Sequence, residues 1–241
     1  MRSGSRHAGP VGPRTGMIGT VKTIDARPYP YEFPPGGVAL MAIDMQRDYL
    51  EVGGYGASLG LDVGPCAAIV PAMQRLIAAF RNARMPVIHT RQCHRPDLSD
   101  CPPAKRRRGR QKLRIGDIGP LGRLLVCGEP GSEIVPALAP LPGEIVIDKP
   151  GKGSFYGTDL MEILQARGIT HLVLSGVTTE VCVQTTMREA NDRGFDCLLV
   201  EDATESYYPE FKAATLAMMR SSDALIGWTS TTDLVLRGIA Q

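Results

Sequence analysis

The sequence predicts an α/β fold: a doubly wound, six-stranded, mainly parallel sheet with helices on both faces. Three observations carry that expectation. Short apolar runs alternate with amphipathic stretches along most of the chain, the order produced by parallel strands joined through crossover helices. The runs are continuously apolar, as in VALMAI, and such strands are buried on both faces. The 241 residues contain no internal repeat and suit one full-sized core.

The first sixteen residues, MRSGSRHAGPVGPRTG, have no apolar middle, so they do not read as a signal peptide. A disordered leader over 1–16 and a single domain over 17–241 are expected. Residues 20–37, with the segment ARPYPYEFPPGG, crowd prolines and aromatics and predict an extended arm lying on the domain or on a neighbouring subunit. The first strand is VALMAIDMQ (38–46), with Asp44 at its carboxyl end. Ligands bind at that end of open α/β sheets, although an aspartate capping the next turn fits the position equally well. A helix is expected over 65–84, with Ile69, Met73, Leu76, Ile77 and Phe80 on one stripe. PVIHT (86–90) is the second strand.

Residues 91–131 then form a long irregular crossing, a length usually reserved for function or subunit contact. EIVIDKPGKGSF (144–155) is the third strand and its exit. Lys149 ends it, and a lysine buried there is costly without a partner. The glycines that follow lack the GxxxxGK[ST] pattern of a phosphate loop. A helix over 158–168 leads to the fourth strand, HLVLSG (171–176), which turns into a helix ending near Gly194. FDCLLVED (195–202) is the fifth strand. After the loop TESYYPEF, Pro209 opens a helix to about 221. DALIGWTST supplies a sixth strand and TTDLVLRGI a terminal helix.

Composition narrows the function. A formal charge of +2 selects no partner. The run KRRRGRQKLR (105–114) has seven basic residues but no interleaved aromatics, so it reads as a solvated loop or subunit contact and not as a nucleic-acid site. No apolar stretch approaches the ~20 residues of a membrane span. The six cysteines (66, 93, 101, 127, 182, 197) show no CxxC and no regular spacing, which predicts reduced thiols and a cytoplasmic protein. Cys93, His94 and Cys101 lack the paired spacing and the fourth ligand of a zinc site, so no metal is expected.

The stretch SGVTTEVCVQTTMREAN (175–191) carries the chemistry. Cys182 falls in the first turn of the expected helix, where unpaired N–H groups and the helix dipole favour a thiolate. Thr178 or Thr179 could cap that turn through its hydroxyl. A free cysteine is otherwise most often a small buried hydrophobe. Three strand ends therefore deliver Asp44, Lys149 and Cys182 to one sheet edge. Nucleophilic catalysis needs a thiolate, a proton acceptor and oxyanion donors. Cys182 suits the first role and Asp44 the second, while Lys149 offsets the repulsion between them. From their place on the loop after the fifth strand, Tyr207, Tyr208 and Glu210 could reach over the same edge, or the two tyrosines could simply pack the loop.

In AIDMQRDY, IDKPGKGSFYGTDL and SGVTTEVCVQTTMREANDRGFDCLLVEDA the chain resembles the cysteine hydrolases of the isochorismatase-like superfamily, over nearly its whole length after the leader. The loops HTRQCHRPDLSD, 105–114 and GRLLVCGEPGSEIVP look most similar to the biuret and triuret hydrolases. Ureidoacrylate amidohydrolases, N-carbamoylsarcosine amidases and nicotinamidases look more distant. The resemblance implies a catalytic triad of Asp44, Lys149 and Cys182, an oxyanion hole of the Thr178 and Cys182 backbone N–H groups, and a cis Val177–Thr178 peptide. It also implies pocket positions at Tyr49, Lys152 and Phe155, a homotetramer, and no cofactor. The histidines of the metal-binding nicotinamidases are missing, so metal dependence is not implied. The SYYPEF segment departs from the biuret enzymes. The expected activity is cleavage of a C–N amide bond in a small linear ureide, biuret or triuret, with release of ammonia through an acyl-cysteine. Another carbamoyl or ureido compound, of ureidoacrylate or N-carbamoyl amino acid type, is the alternative, and a non-catalytic oligomeric scaffold stands behind both.

Overall fold

A computed structural model describes residues 20–108 and 113–241. The expected leader (1–16) and residues 109–112 of the basic run lie outside them. Six strands, β1 (Val38–Ile43), β2 (Val87–Gln92), β3 (Ile145–Lys149), β4 (His171–Val177), β5 (Asp196–Glu205) and β6 (Trp228–Ser230), form one sheet. Their spatial order is β6-β5-β4-β1-β2-β3, with every pairing parallel. The chain builds outward from β1 to β3, returns to the other side of β1, and builds outward again to β6. The direction reverses between β1 and β4, and such a reversal opens a crevice at the carboxyl ends of the strands.

Alternate residues of β1 feed two core layers, as the two-residue period of a strand requires. Val38, Leu40 and Ala42 pack with α1 (Val70–Asn82) and α5 (Thr232–Ala240). Ala39, Met41 and Ile43 pack with α2 (Leu160–Ala166), α3 (Gln184–Asn191) and α4 (Pro209–Met219). The stripe Met73, Leu76, Ile77 and Phe80 is the buried face of α1. The single helix expected over 65–84 is instead a short turn, Gly64–Ala68, followed by α1. Pro71 is the cause: it has no N–H to continue a helix but suits the first turn of a new one. The expected extended arm is a small hairpin, Lys22–Ile24 against Tyr31–Phe33, and it lies on its own domain with Tyr31 and Phe33 in the core.

The loops around the carboxyl edge are tied down by Asp48, which is fully buried. Its Oδ1 accepts the Tyr55 N–H at 3.1 Å and its Oδ2 the Leu125 N–H at 3.0 Å. A Cβ on Gly131 would sit 2.5 Å from Asp48 Oδ1, so glycine is what lets the long crossing approach. The expectation of six reduced thiols fails at one pair, because Cys93 and Cys127 form a disulfide with Cα atoms 5.1 Å apart. The crossing folds back so that Cys127 N–H donates to His94 O at 2.9 Å, which brings the two cysteines together. Cys66, Cys101, Cys182 and Cys197 are free and buried. Among the described residues no helix is long and apolar enough to cross a membrane.

Candidate active site

Asp44 follows β1 in a left-handed conformation (φ 52°) that turns the chain sharply at the strand end. Its carboxylate does not cap the following turn. Oδ1 accepts from Thr90 Oγ1 at 2.6 Å, and Oδ2 lies 2.8 Å from Lys149 Nζ. Lys149 Nζ also donates to the carbonyls of Lys152 (2.8 Å) and Gly151 (3.2 Å). Both members of the ion pair are fully buried. A pair so placed is tolerable only when its remaining hydrogen-bonding capacity is largely met; the two carbonyls and Thr90 meet most of it, and Asp44 Oδ2 has the ion pair alone among the described residues.

The turn bearing Cys182 begins at Gly176, where φ is 112° and a Cβ would fall 2.0 Å from Ile43 O. Only glycine lets β4 come that close to β1. The Val177–Thr178 peptide is cis, as the resemblance implied. Thr179–Val183 then forms a wide π turn in which Val183 N–H reaches back to Thr178 O at 3.2 Å. Such turns within helices frequently accompany functional sites. Cys182 is therefore not in a regular first helical turn, and no threonine hydroxyl caps it. Thr179 Oγ1 is engaged by Thr204 Oγ1 at 2.8 Å instead. Among the described residues, the Thr178 N–H donates to no acceptor.

The electrostatics work against a second expectation. Burial pushes the Cys182 thiol up to about 12; Lys149 and Lys152 pull it down, while Asp44 pushes it further up. Burial and Asp44 thus favour the protonated sulfur, against the pull of the two lysines. Burial also opposes the charge on Lys149, but Asp44 beside it outweighs that and holds the ammonium above its ordinary value. The sulfur must lose its proton as it attacks, and Asp44 is the carboxylate at hand.

Gln92, at the end of β2, went unnoticed in the sequence and joins the cluster. Its Oε1 accepts from Cys182 Sγ at 3.3 Å and from the Tyr49 hydroxyl at 2.9 Å. Its backbone is clasped by the Gln46 amide, through Gln92 N–H to Gln46 Oε1 (2.7 Å) and Gln46 Nε2 to Gln92 O (3.2 Å). Gln92 Nε2 is buried without a partner among the described residues. Tyr49 is thus brought next to Gln92, and Tyr207 stands behind it with its hydroxyl on Tyr49 O at 2.9 Å.

Three other expected residues are placed differently. The Phe155 ring lies 6.0 Å from Phe195 with the Arg193 guanidinium over it at 4.8 Å. It packs in the layer of α3, which also holds Cys182, and Ser154 before it is bound to Thr186 Oγ1 on that helix. Tyr208 is exposed with its ring 4.9 Å from Phe211, and Glu210 is exposed in the first turn of α4. Neither meets the triad. Lys152 has its side chain at the surface and its carbonyl on Lys149, and its charge acts on Cys182.

The basic run is not wholly a solvated loop. Lys105 turns inward, donating to Pro150 O and approaching His94 Nε2 at 3.1 Å. His94 Nδ1 is 3.3 Å from Asp100 Oδ1. With Cys93 in its disulfide and His94 between Asp100 and Lys105, the trio Cys93, His94 and Cys101 does not converge on one point.

The isochorismatase domain family model matches residues 38–233. The chain is 33% identical over 221 residues to the ureidoacrylate amidohydrolase RutB of Yersinia enterocolitica, spanning 90% of this chain and 95% of that protein. It is 34% identical over 220 residues to the ureidoacrylate amidohydrolase RutB of Methylorubrum extorquens, spanning 90% and 88%. Among solved structures, a cysteine hydrolase from Pseudomonas syringae pv. phaseolicola matches with a TM-score of 0.72 at 25% identity, covering 93% of this chain and 99% of that one.

Proposed function

This chain belongs to the isochorismatase family, and within it we propose a cysteine-dependent amidohydrolase that cleaves a C–N bond of a small ureido acid of the ureidoacrylate type. The observation that carries the reading is the buried Asp44–Lys149 pair, 2.8 Å apart, in electrostatic reach of Cys182 on its wide turn. The two relatives above, named for ureidoacrylate, supply the substrate class.

In the proposed reaction Cys182 Sγ bonds to the ureido carbonyl carbon while its proton passes to Asp44. The backbone N–H groups of Thr178 and Cys182 hold the resulting oxyanion. The C–N bond then breaks, and Asp44 returns the proton to the departing nitrogen. Water, deprotonated by Asp44, attacks the acyl-cysteine and releases the second product and the thiol. Ammonia appears either as the departing amine or from the carbamate formed in the second step. Lys149, 2.8 Å from Asp44 Oδ2, holds that carboxylate in place. Tyr49 and Gln92 flank the sulfur and orient the substrate, and no metal or cofactor is required by the scheme.

Biuret and triuret, expected from the loops at 89–100, 105–114 and 122–136, are neutral members of the same chemical class. We place them second, because the relatives are named for ureidoacrylate. Ammonia release from ureidoacrylate, an N-carbamoyl amino acid, biuret and triuret tests the order. The highest kcat/KM is expected on ureidoacrylate. Faster turnover of biuret or triuret would reverse the order and leave the mechanism standing, whereas no turnover of any of them would favour a scaffold.

A further inference from the structure

Lys105 is the residue of the basic run for which the structure shows an inward role. It sits on the single helical turn Pro103–Arg106, closed by its own N–H to Pro102 O at 2.9 Å. From there its ammonium bridges two strand exits. One contact is the carbonyl of Pro150, the residue after Lys149; the other is His94, two residues after Gln92. His94 is fully buried and backed by Asp100. An ammonium has three donors, and these contacts occupy two.

The surroundings of that third donor are short of negative charge. Asp44 is committed to Lys149, and Asp100 lies beside His94 Nδ1, on the far side of the ring from Lys105, and accepts the Arg95 N–H at 3.1 Å. Among the described residues, neither Lys105 nor Lys152 has a carboxylate within ion-pair distance. Lys152 and Lys149 both act on the Lys105 ammonium as like charges, and an anion bound there would relieve that repulsion.

We propose that Lys105, positioned by His94 and Asp100, binds the carboxylate of the substrate and so selects ureido acids over neutral ureides. This rests on the amidohydrolase reading above and assigns its specificity to a residue. Burial first, then the neighbouring Lys152, bring the Lys105 ammonium down to about 8. The other groups facing it are His94, Asp100 and Cys101 on its own loop, Lys149 on the β3 exit and Cys182 on the β4 turn. Burial and Lys105 itself hold His94 below its usual value, so His94 stays neutral in this range. Recognition of an anionic substrate is then complete below about 8 and is lost as the pH rises through that value.

The test compares ureidoacrylate with its neutral primary amide on full-length wild type, Lys105→Met and Lys105→Arg. Lys105→Met should raise KM for the acid by about tenfold to a hundredfold, the range for one charge-assisted hydrogen bond. That loss should exceed the loss on the amide by at least tenfold, and the alkaline fall of kcat/KM near 8 should vanish. Lys105→Arg should keep the preference for the acid and carry the fall to higher pH. Equal losses on both substrates, or an alkaline fall unchanged in Lys105→Met, would overturn the assignment. A wild type that prefers the amide, or hydrolyses neither compound, would instead overturn the functional reading itself.

Discussion

Replacing Asp44 with Asn should make Cys182 easier to alkylate and at the same time nearly useless for turnover. In the wild type burial and Asp44 hold the proton on the thiol, and Lys149, with a smaller effect from Lys152, works against them. Lys149 is largely spent on Asp44, 2.8 Å away. Asparagine keeps the shape and the Thr90 hydrogen bond but removes the charge, and Lys149, still held by the carbonyls of Gly151 and Lys152, then faces the sulfur alone. Two unit charges about 4 Å apart at an effective dielectric of about 20 interact by about 4 kcal/mol, or about three pKa units. Burial is unchanged, so that is an upper bound, and a tenfold or greater rise in thiolate is expected. Turnover should fall by about 10²–10⁴, because no base remains to take the thiol proton. The assay is the rate of iodoacetamide labelling at fixed pH with peptide mapping, run beside ammonia release. Cys66 and Cys197, both fully buried, report any general loosening. Labelling of Cys182 at the wild-type rate or slower, or turnover kept within tenfold, would refute the reasoning.

Lys149→Met should strand Asp44 as an uncompensated buried charge and cost about 3–5 kcal/mol. Thermal melting should show this as a loss of about 6–20 °C, partly recovered in the double variant with Asp44→Asn. Glu144 presents an acid-side test. Burial alone would raise its carboxyl, but hydrogen bonds from Arg81, Leu141 N–H and His89 bring it down to about 2. A carboxyl lowered on folding stabilises above its unfolded value, about 4.3, and that stability drains away as the pH falls toward about 2. Glu144→Gln should therefore cost about 1–2 kcal/mol at neutral pH after allowance for solvent screening, and should flatten acid unfolding in that window by chemical denaturation. Activity should survive exhaustive dialysis against EDTA, and dependence on added zinc or iron would contradict the scheme. Phe211, Met218 and Leu225 on and after α4 are exposed, so light scattering should give a multiple of the 26.0 kDa chain mass; the monomer mass would sink the idea of assembly.

The triad was legible because charged residues end apolar runs at Asp44 and Lys149, a juxtaposition that stands out in any buried strand. The layers were legible for the same reason, since continuous apolar strands and one-sided helices leave few alternative architectures. The order of the strands was not, because nothing in β4 states which side of β1 it will pair with. Gln46, Thr90 and Gln92 were missed because neutral polar residues look ordinary until a neighbour fixes their amides and hydroxyls. The helix-start argument for a thiolate weighs the dipole and the nearby lysine but not burial, which works against it, since Cys182 is only 4% exposed. The Cys93–Cys127 pairing was invisible because its 34-residue separation is closed by an irregular loop. Phe155, Tyr208 and Glu210 depended on the direction in which a chain leaves a strand, which local sequence does not state.

The central position of β1 has a kinetic consequence. β2 is the next strand of the sheet in the chain, but β4, the neighbour of β1 on the other side, arrives only after β3, and Asp44, Gln92, Lys149 and Cys182 come from four different strand exits. A fragment that ends before β4 can pair β1 with β2 and β2 with β3, bringing Asp44, Gln92 and Lys149 together, but it lacks Cys182. Parallel sheets of this kind close long loops before any pairing compensates for the lost chain entropy, which makes their assembly slow and late. Secondary structure and compaction can therefore return after dilution from denaturant while the nucleophile still lacks its base. Recovery of turnover is thus a clock for completion of the whole sheet, and a chain halted at any earlier stage is catalytically silent.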